Sequence, residues 1–159
     1  MVDLKQLPKA RLDFVRPMLA KPVKELPAGP NWLYELKLDG YRVLVMKERG
    51  VITLFSRRGN ILTNAFPRIA GSFSFLTDNT ILDGELVVLD ESGKPSFAAL
   101  QKQKFRPEAL HFYAFDLIAY KGKDLRKLPL IARRTLLEES ALTRMREPVR
   151  LSSVFPTSP

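Results

Sequence analysis

The chain has 159 residues, 45% of them hydrophobic, which is enough to bury the core of one domain. Its 26 lysines and arginines against 17 acidic residues give a formal charge of +9, favouring a polyanionic partner such as nucleic acid. The absence of cysteine excludes disulfides, thiolate chemistry and cysteine-ligated zinc, one histidine argues against a histidine-rich metal site, and no apolar run approaches the ~20 residues of a membrane span.

The expected fold class is α+β, with antiparallel sheets and flanking helices. Residues 1–30, punctuated by Pro8, Pro17, Pro22, Pro27 and Pro30, read as an extended N-terminal arm, and residues 31–159 as a single domain. Interleaved Lys5, Lys9 and Arg11 set this arm apart from a signal peptide. Strands are expected over 32–36, 41–47 and 51–56, the last ending at the turn-forming run Arg58-Gly59-Asn60. Phe66, Ile69, Ala70 and Phe73 follow the i, i+3, i+4, i+7 spacing of an amphipathic helix with Pro67 in its first turn. A buried strand over 85–90 closes at Glu91-Ser92-Gly93-Lys94, and Ser96 caps a short helix over 97–104. Residues 110–120 form the most hydrophobic strand, and 129–142 a second substantial helix. Arg133 and Arg134 on that helix, with Glu138 and Glu139 about a turn later, read as surface charges without a role.

The run Glu35-Leu36-Lys37-Leu38-Asp39-Gly40-Tyr41-Arg42 sets a lysine beside carboxylates, a glycine and an arginine. A free lysine amine, with a pKa of roughly 10.4, is protonated at neutral pH, so attack requires neighbouring cations or desolvation to favour the neutral form. Arg42 is a candidate neighbour. The competing reading is a hairpin with an Asp-Gly turn and solvated charges, and Asp39 either orients Lys37 or shapes that turn. Read singly, Phe115 is core, Asp83-Gly84 a turn, and Arg57 and Arg58 solvated charges.

Together these segments resemble something more specific. Lys37-Leu38-Asp39-Gly40, Ser56-Arg57-Arg58-Gly59-Asn60, Leu82-Asp83-Gly84-Glu85-Leu86 and Phe112-Tyr113-Ala114-Phe115-Asp116-Leu117 are similar in order and interval to the motifs of the covalent nucleotidyltransferases: ATP-dependent DNA ligases, RNA ligases and mRNA capping enzymes. Pro17-Met18-Leu19-Ala20, the stretch from Ile81 to Phe97, and Leu128-Pro129-Leu130-Ile131-Ala132-Arg133-Arg134 most resemble the adenylation domain of bacterial end-joining ATP-dependent DNA ligases, from about Arg16 to about Phe155.

The resemblance implies part of an ATP-grasp-like nucleotidyltransferase domain, with ATP and Mg²⁺ or Mn²⁺ as cofactors and nicked or broken duplex DNA as partner. It implies that Lys37 accepts AMP and that Glu35 lies at the adenine end. It further implies that Arg42, Arg57 and Glu85 contact ribose and phosphate, with Glu85 also near the metal, and that Phe115 stacks on the purine. A bacterial cytoplasmic, nucleoid-associated repair role is expected. The family continues beyond this point to a Glu-Gly motif, a Lys-x-Lys motif and an OB-fold domain, whereas this sequence ends at Pro159. The expectation is therefore an N-terminal portion whose full ligation requires a C-terminal half or repair partner. The alternatives are a non-catalytic DNA- or partner-binding remnant and an RNA ligase or capping-type nucleotidyltransferase.

Overall fold

The computed structural model describes residues 2–141 and 145–155. Five strands run side by side in the order β3 (Val51–Ser56), β2 (Tyr41–Glu48), β4 (Thr80–Val88), β5 (Leu110–Tyr120) and β6 (Lys123–Asp124), all antiparallel. A sixth, β7 (Val149–Leu151), pairs with β5 in parallel. The short β1 (Tyr34–Glu35) pairs apart from this sheet with β8 (Val154–Phe155). Among the described residues the expected strand over 32–36 contracts to these two, and no hairpin joins it to β2.

Alternation along the strands divides the sheet into two chemically different faces. On β2, Val43 and Val45 enter the larger core, while Leu44 and Met46 turn to the opposite face with Ile81 and Ala119. On β4, Leu82 and Leu86 join the larger core, which leaves Asp83 and Glu85 on the other side. The helices α1 (Pro67–Gly71), α2 (Phe97–Gln101) and α3 (Leu130–Ala141) contribute Ile69, Leu100 and Leu137 to the larger core. α1 and α2 are shorter than their patterns predict, although Phe73, beyond the end of α1, is still fully buried. Ser96 caps α2, its Oγ accepting from the Ala99 amide at 3.4 Å. The last residue expected in α3, Leu142, lies outside the described residues.

Strand β4 begins earlier than the sequence predicts, so Asp83-Gly84 is strand interior and not a turn. The glycine is demanded by proximity: a Cβ at Gly84 would lie 2.2 Å from the Phe112 ring. Where β4 meets β5 the register slips twice. Asp83 pairs with Asp116 but Gly84 with Ala114, and Leu82 pairs with Leu117 but Ile81 with Ala119. Phe115 and Ile118 are the extra residues of these two β-bulges, and each resets which side chains face which way.

The arm preceding β1 carries a 3-10 turn (Leu4–Gln6) and a bridge from Lys9 to Lys123. Its Ala10, Leu12 and Val15 pack on the smaller cluster formed by Leu44, Ile81 and Ala119, which brings Arg16, Pro17 and Met18 to the rim of the polar face.

Candidate active site

A cleft of about 640 Å³ opens on the polar face, between the arm, the loop after β1, and the middle of β2, β4 and β5. Glu35, Lys37, Arg42, Glu85 and Phe115 all line it. Arg57 does not. It stands exposed in the turn after β3, where Ser56 Oγ accepts from the Arg58 and Asn60 amides.

Strand register explains the convergence. Arg42 lies opposite Glu85, and Leu44 opposite Asp83, so the Arg42 guanidinium reaches diagonally to Asp83. It donates twice, Nε to Oδ1 at 2.6 Å and Nη2 to Oδ2 at 2.8 Å. Asp83 is 2% exposed, and burial pushes its carboxyl up while the Arg42 hydrogen bonds and charge oppose the shift. The same guanidinium lies 4.3 Å from the Phe115 ring centroid, a cation–π contact. Arg42 is therefore not a bare cation beside Lys37, since its charge is matched by Asp83.

Among the described residues Glu85 has no such partner. Burial pushes its carboxyl up to about 7, opposed by the charge of Arg42, the Gly40 amide and, least, the charge of Lys37. The amide contact depends on a close approach: a Cβ on Gly40 would lie 2.2 Å from the Leu86 carbonyl oxygen. Gly40 thus anchors the Lys37 loop against β4 through its missing side chain, and not as the apex of a hairpin. Lys37 and Asp39 are both exposed, and among the described residues the Asp39 side chain makes no hydrogen bond.

The structure corrects the assignment of Arg133 and Arg134 as surface charges. Arg133 grips Asp116 with Nε to Oδ1 and Nη2 to Oδ2, both at 2.8 Å, and donates to the Leu128 carbonyl at 2.7 Å. Arg134 is 4% exposed and donates to Glu35, to Glu138 and to the carbonyls of Phe115 and Ser152. Helical spacing pairs Arg134 with Glu138 in sequence, which conceals the longer-range partners. The available signal was Asp116, a carboxylate inside the most apolar strand that needs a cation.

The donor set bears on metal binding. Among the described residues no group of three or more metal-ligating side chains exists. Asp83, Asp116 and Glu35 are each paired with an arginine, which leaves Glu85 as the cleft carboxylate without an ion pair among the described residues. One carboxylate fits Mg²⁺ or Mn²⁺, which retain water and take further oxygens from substrate phosphates.

Residues 17–157 match the family model of the ATP-dependent DNA ligase domain. The chain belongs to that family. It is 39% identical over 150 residues to the multifunctional non-homologous end joining protein LigD of Pseudomonas aeruginosa, covering 92% of this chain and 18% of that protein. It is 33% identical to the SPbeta prophage-derived DNA ligase-like protein LigB of Bacillus subtilis, covering 81% of this chain and 48% of that one. Among solved structures, mycobacterial DNA ligase D complexed with ATP and MES superposes with a TM-score of 0.67 at 34% identity, covering 79% of this chain and 40% of that one. The ligase domain of Mycobacterium tuberculosis LigD gives 0.66 at 33% identity, covering 79% and 41%. The chain therefore spans less than half the length of each of these relatives. The mostly antiparallel sheet with few helices is the α+β nucleotidyltransferase fold of the ligase domain. No helix among the described residues is long and apolar enough to cross a membrane.

Proposed function

We propose that this chain binds ATP in the cleft and accepts AMP on Lys37, as the adenylation part of an ATP-dependent DNA ligase that seals DNA breaks in repair. The observation that carries the reading is the convergence of Glu35, Lys37, Arg42, Glu85 and Phe115 on one cleft from three separate segments of chain.

Once Lys37 Nζ, which is exposed, has given its proton to solvent it attacks the α-phosphorus of ATP. A nitrogen–phosphorus bond forms as the bond from phosphorus to the pyrophosphate oxygen breaks, leaving a lysyl phosphoramidate and releasing pyrophosphate. Asp83 holds Arg42 by Nε and Nη2, so Nη1 remains for a ribose or phosphate oxygen. Phe115 supplies an aromatic face for the purine, and because the Arg42 guanidinium covers one side of the ring the base takes the other. Glu85 would hold a divalent cation, which offsets the charge of the phosphates when bound.

DNA is the proposed polyanionic partner, met by the +9 charge of the chain, and the proposed setting is the bacterial cytoplasm at the nucleoid. The test is intact mass after incubation with ATP and Mg²⁺ or Mn²⁺. An acid-labile gain of one AMP, mapped to Lys37 and lost in Lys37→Ala, is expected. A chain that stays unmodified yet binds DNA would support the non-catalytic module instead, and an adduct on another lysine would overturn the assignment.

A further inference from the structure

Arg134 occupies an unusual place relative to the cleft: it does not line the cleft, yet it ties together three residues that do. From α3 it donates through Nη1 to Glu35 on β1 and to the Phe115 carbonyl on β5, and through Nη2 to the Ser152 carbonyl after β7. Its Nε pairs with Glu138 at 3.1 Å. The Glu138 pair alone would balance its charge, and a buried guanidinium needs no second carboxylate for neutrality. The second carboxylate is Glu35, whose side chain remains 36% exposed while that of Arg134 is 5% exposed. Arg134 occupies Oε1 of Glu35. Among the described residues Oε2 accepts no hydrogen bond from the protein.

We propose that Arg134 is a positioning residue for base selectivity, holding the Glu35 carboxylate so that its second oxygen accepts from the exocyclic amine of adenine and repels the carbonyl of guanine. The inference rests on the nucleotide reading above and adds to it a residue that touches no ligand. An ionised carboxylate only accepts hydrogen bonds, so it rewards an amine and penalises a carbonyl at the same position. Burial pushes the Glu35 carboxyl up, and the charge of Asp116 adds to this, while Arg134 and, more weakly, Arg42 oppose both. Arg133 covers Asp116, so Arg134 is the cation in direct contact with Glu35.

The experiment is titration of the protein with ATP and with GTP, comparing wild type, Arg134→Gln, Arg134→Lys and Glu35→Gln. Wild type is expected to prefer ATP. Arg134→Gln is expected to lower the ATP-to-GTP affinity ratio by roughly tenfold or more, and Arg134→Lys, which keeps the charge, to stay within roughly threefold of wild type. Glu35→Gln presents both an amide donor and a carbonyl, so its preference should collapse, and adding Arg134→Gln to it should cost no further discrimination. A folded Arg134→Gln protein that loses both affinities in parallel, with the ratio kept, overturns the proposal. If Arg134→Gln does not fold, retained ATP preference in Glu35→Gln overturns it. Wild type binding ATP and GTP equally overturns this inference and leaves nucleotide binding standing, whereas wild type binding neither removes both.

Discussion

Replacing Glu85 with glutamine should make the protein more stable relative to wild type as pH rises, and the structure sets both sign and size. The Glu85 carboxyl is pushed from 4.5 up to about 7, with burial the largest cause. A carboxyl whose folded pKa exceeds its unfolded value contributes fully to stability below the unfolded pKa, and that contribution is lost as pH rises through the folded one. The window is therefore about pH 4.5 to 7. At ~1.4 kcal/mol per pH unit the full effect is at most about 3.5 kcal/mol, and the partial exposure of Glu85 reduces it by solvent screening to about 1–2 kcal/mol. Glutamine has nearly the same shape and cannot ionise. Urea unfolding of wild type and Glu85→Gln at pH 5 and pH 8.5 isolates the term, because other titrating groups are common to both proteins. The glutamine variant should gain about 1–2 kcal/mol relative to wild type between the two pH values. An unchanged difference would refute the assignment of Glu85 as a desolvated carboxylate without a neutralising partner. The cost of ionising it is what a bound cation would relieve, so the same substitution should weaken metal-dependent ATP binding.

Asp83→Ala leaves the Arg42 guanidinium without its bidentate partner and should cost about 3 kcal/mol, read as a lowered denaturant midpoint; a change under about 1 kcal/mol would show the pair to be unimportant for the fold. Phe115→Leu keeps apolar volume but removes the aromatic face, so nucleotide affinity should fall roughly tenfold with the melting temperature little changed. Loss of stability at normal ATP affinity would instead make Phe115 a core residue. Duplex binding driven by phosphate contacts should weaken steeply between two salt concentrations and distinguish nicked from intact DNA poorly; tight, salt-insensitive, nick-selective binding would contradict a purely electrostatic surface.

Legibility of the fold in the sequence varied with how local the cause was. The bounds of β3 and β5 coincide with their hydrophobic runs because β3 is preceded by Gly50 and β5 followed by Gly122, both at positive φ. The start of β4 was hidden because Asp83-Gly84 is a turn signal in isolation, and only the nearness of Phe112 and Arg42 makes it strand. Five of the expected site residues, Glu35, Lys37, Arg42, Glu85 and Phe115, meet in the cleft because they lie within motifs that strand pairing aligns. Arg57, though just as strongly indicated by its motif, stays outside the cleft lining. Arg133 and Arg134 were hidden for a different reason. Helical spacing predicts neighbours along α3, but their decisive partners, Asp116 and Glu35, lie 17 and 99 residues away in the chain.

The bulge at Phe115 has a consequence for which side chains of β5 reach the cleft. In an unbroken strand Phe115 and Asp116 would point to opposite faces, yet both line the cleft, because the register slip inserts one residue between Ala114 and Asp116. Removing that residue would take away the ring beneath the Arg42 guanidinium and the carbonyl that accepts from Arg134, and the second bulge at Ile118 would remain. Position 115 ties the sheet to its surroundings twice, once through its side chain and once through its main chain. One extra residue in the middle of a central strand, and not side-chain alternation, thus decides that the ring at 115 faces the cleft.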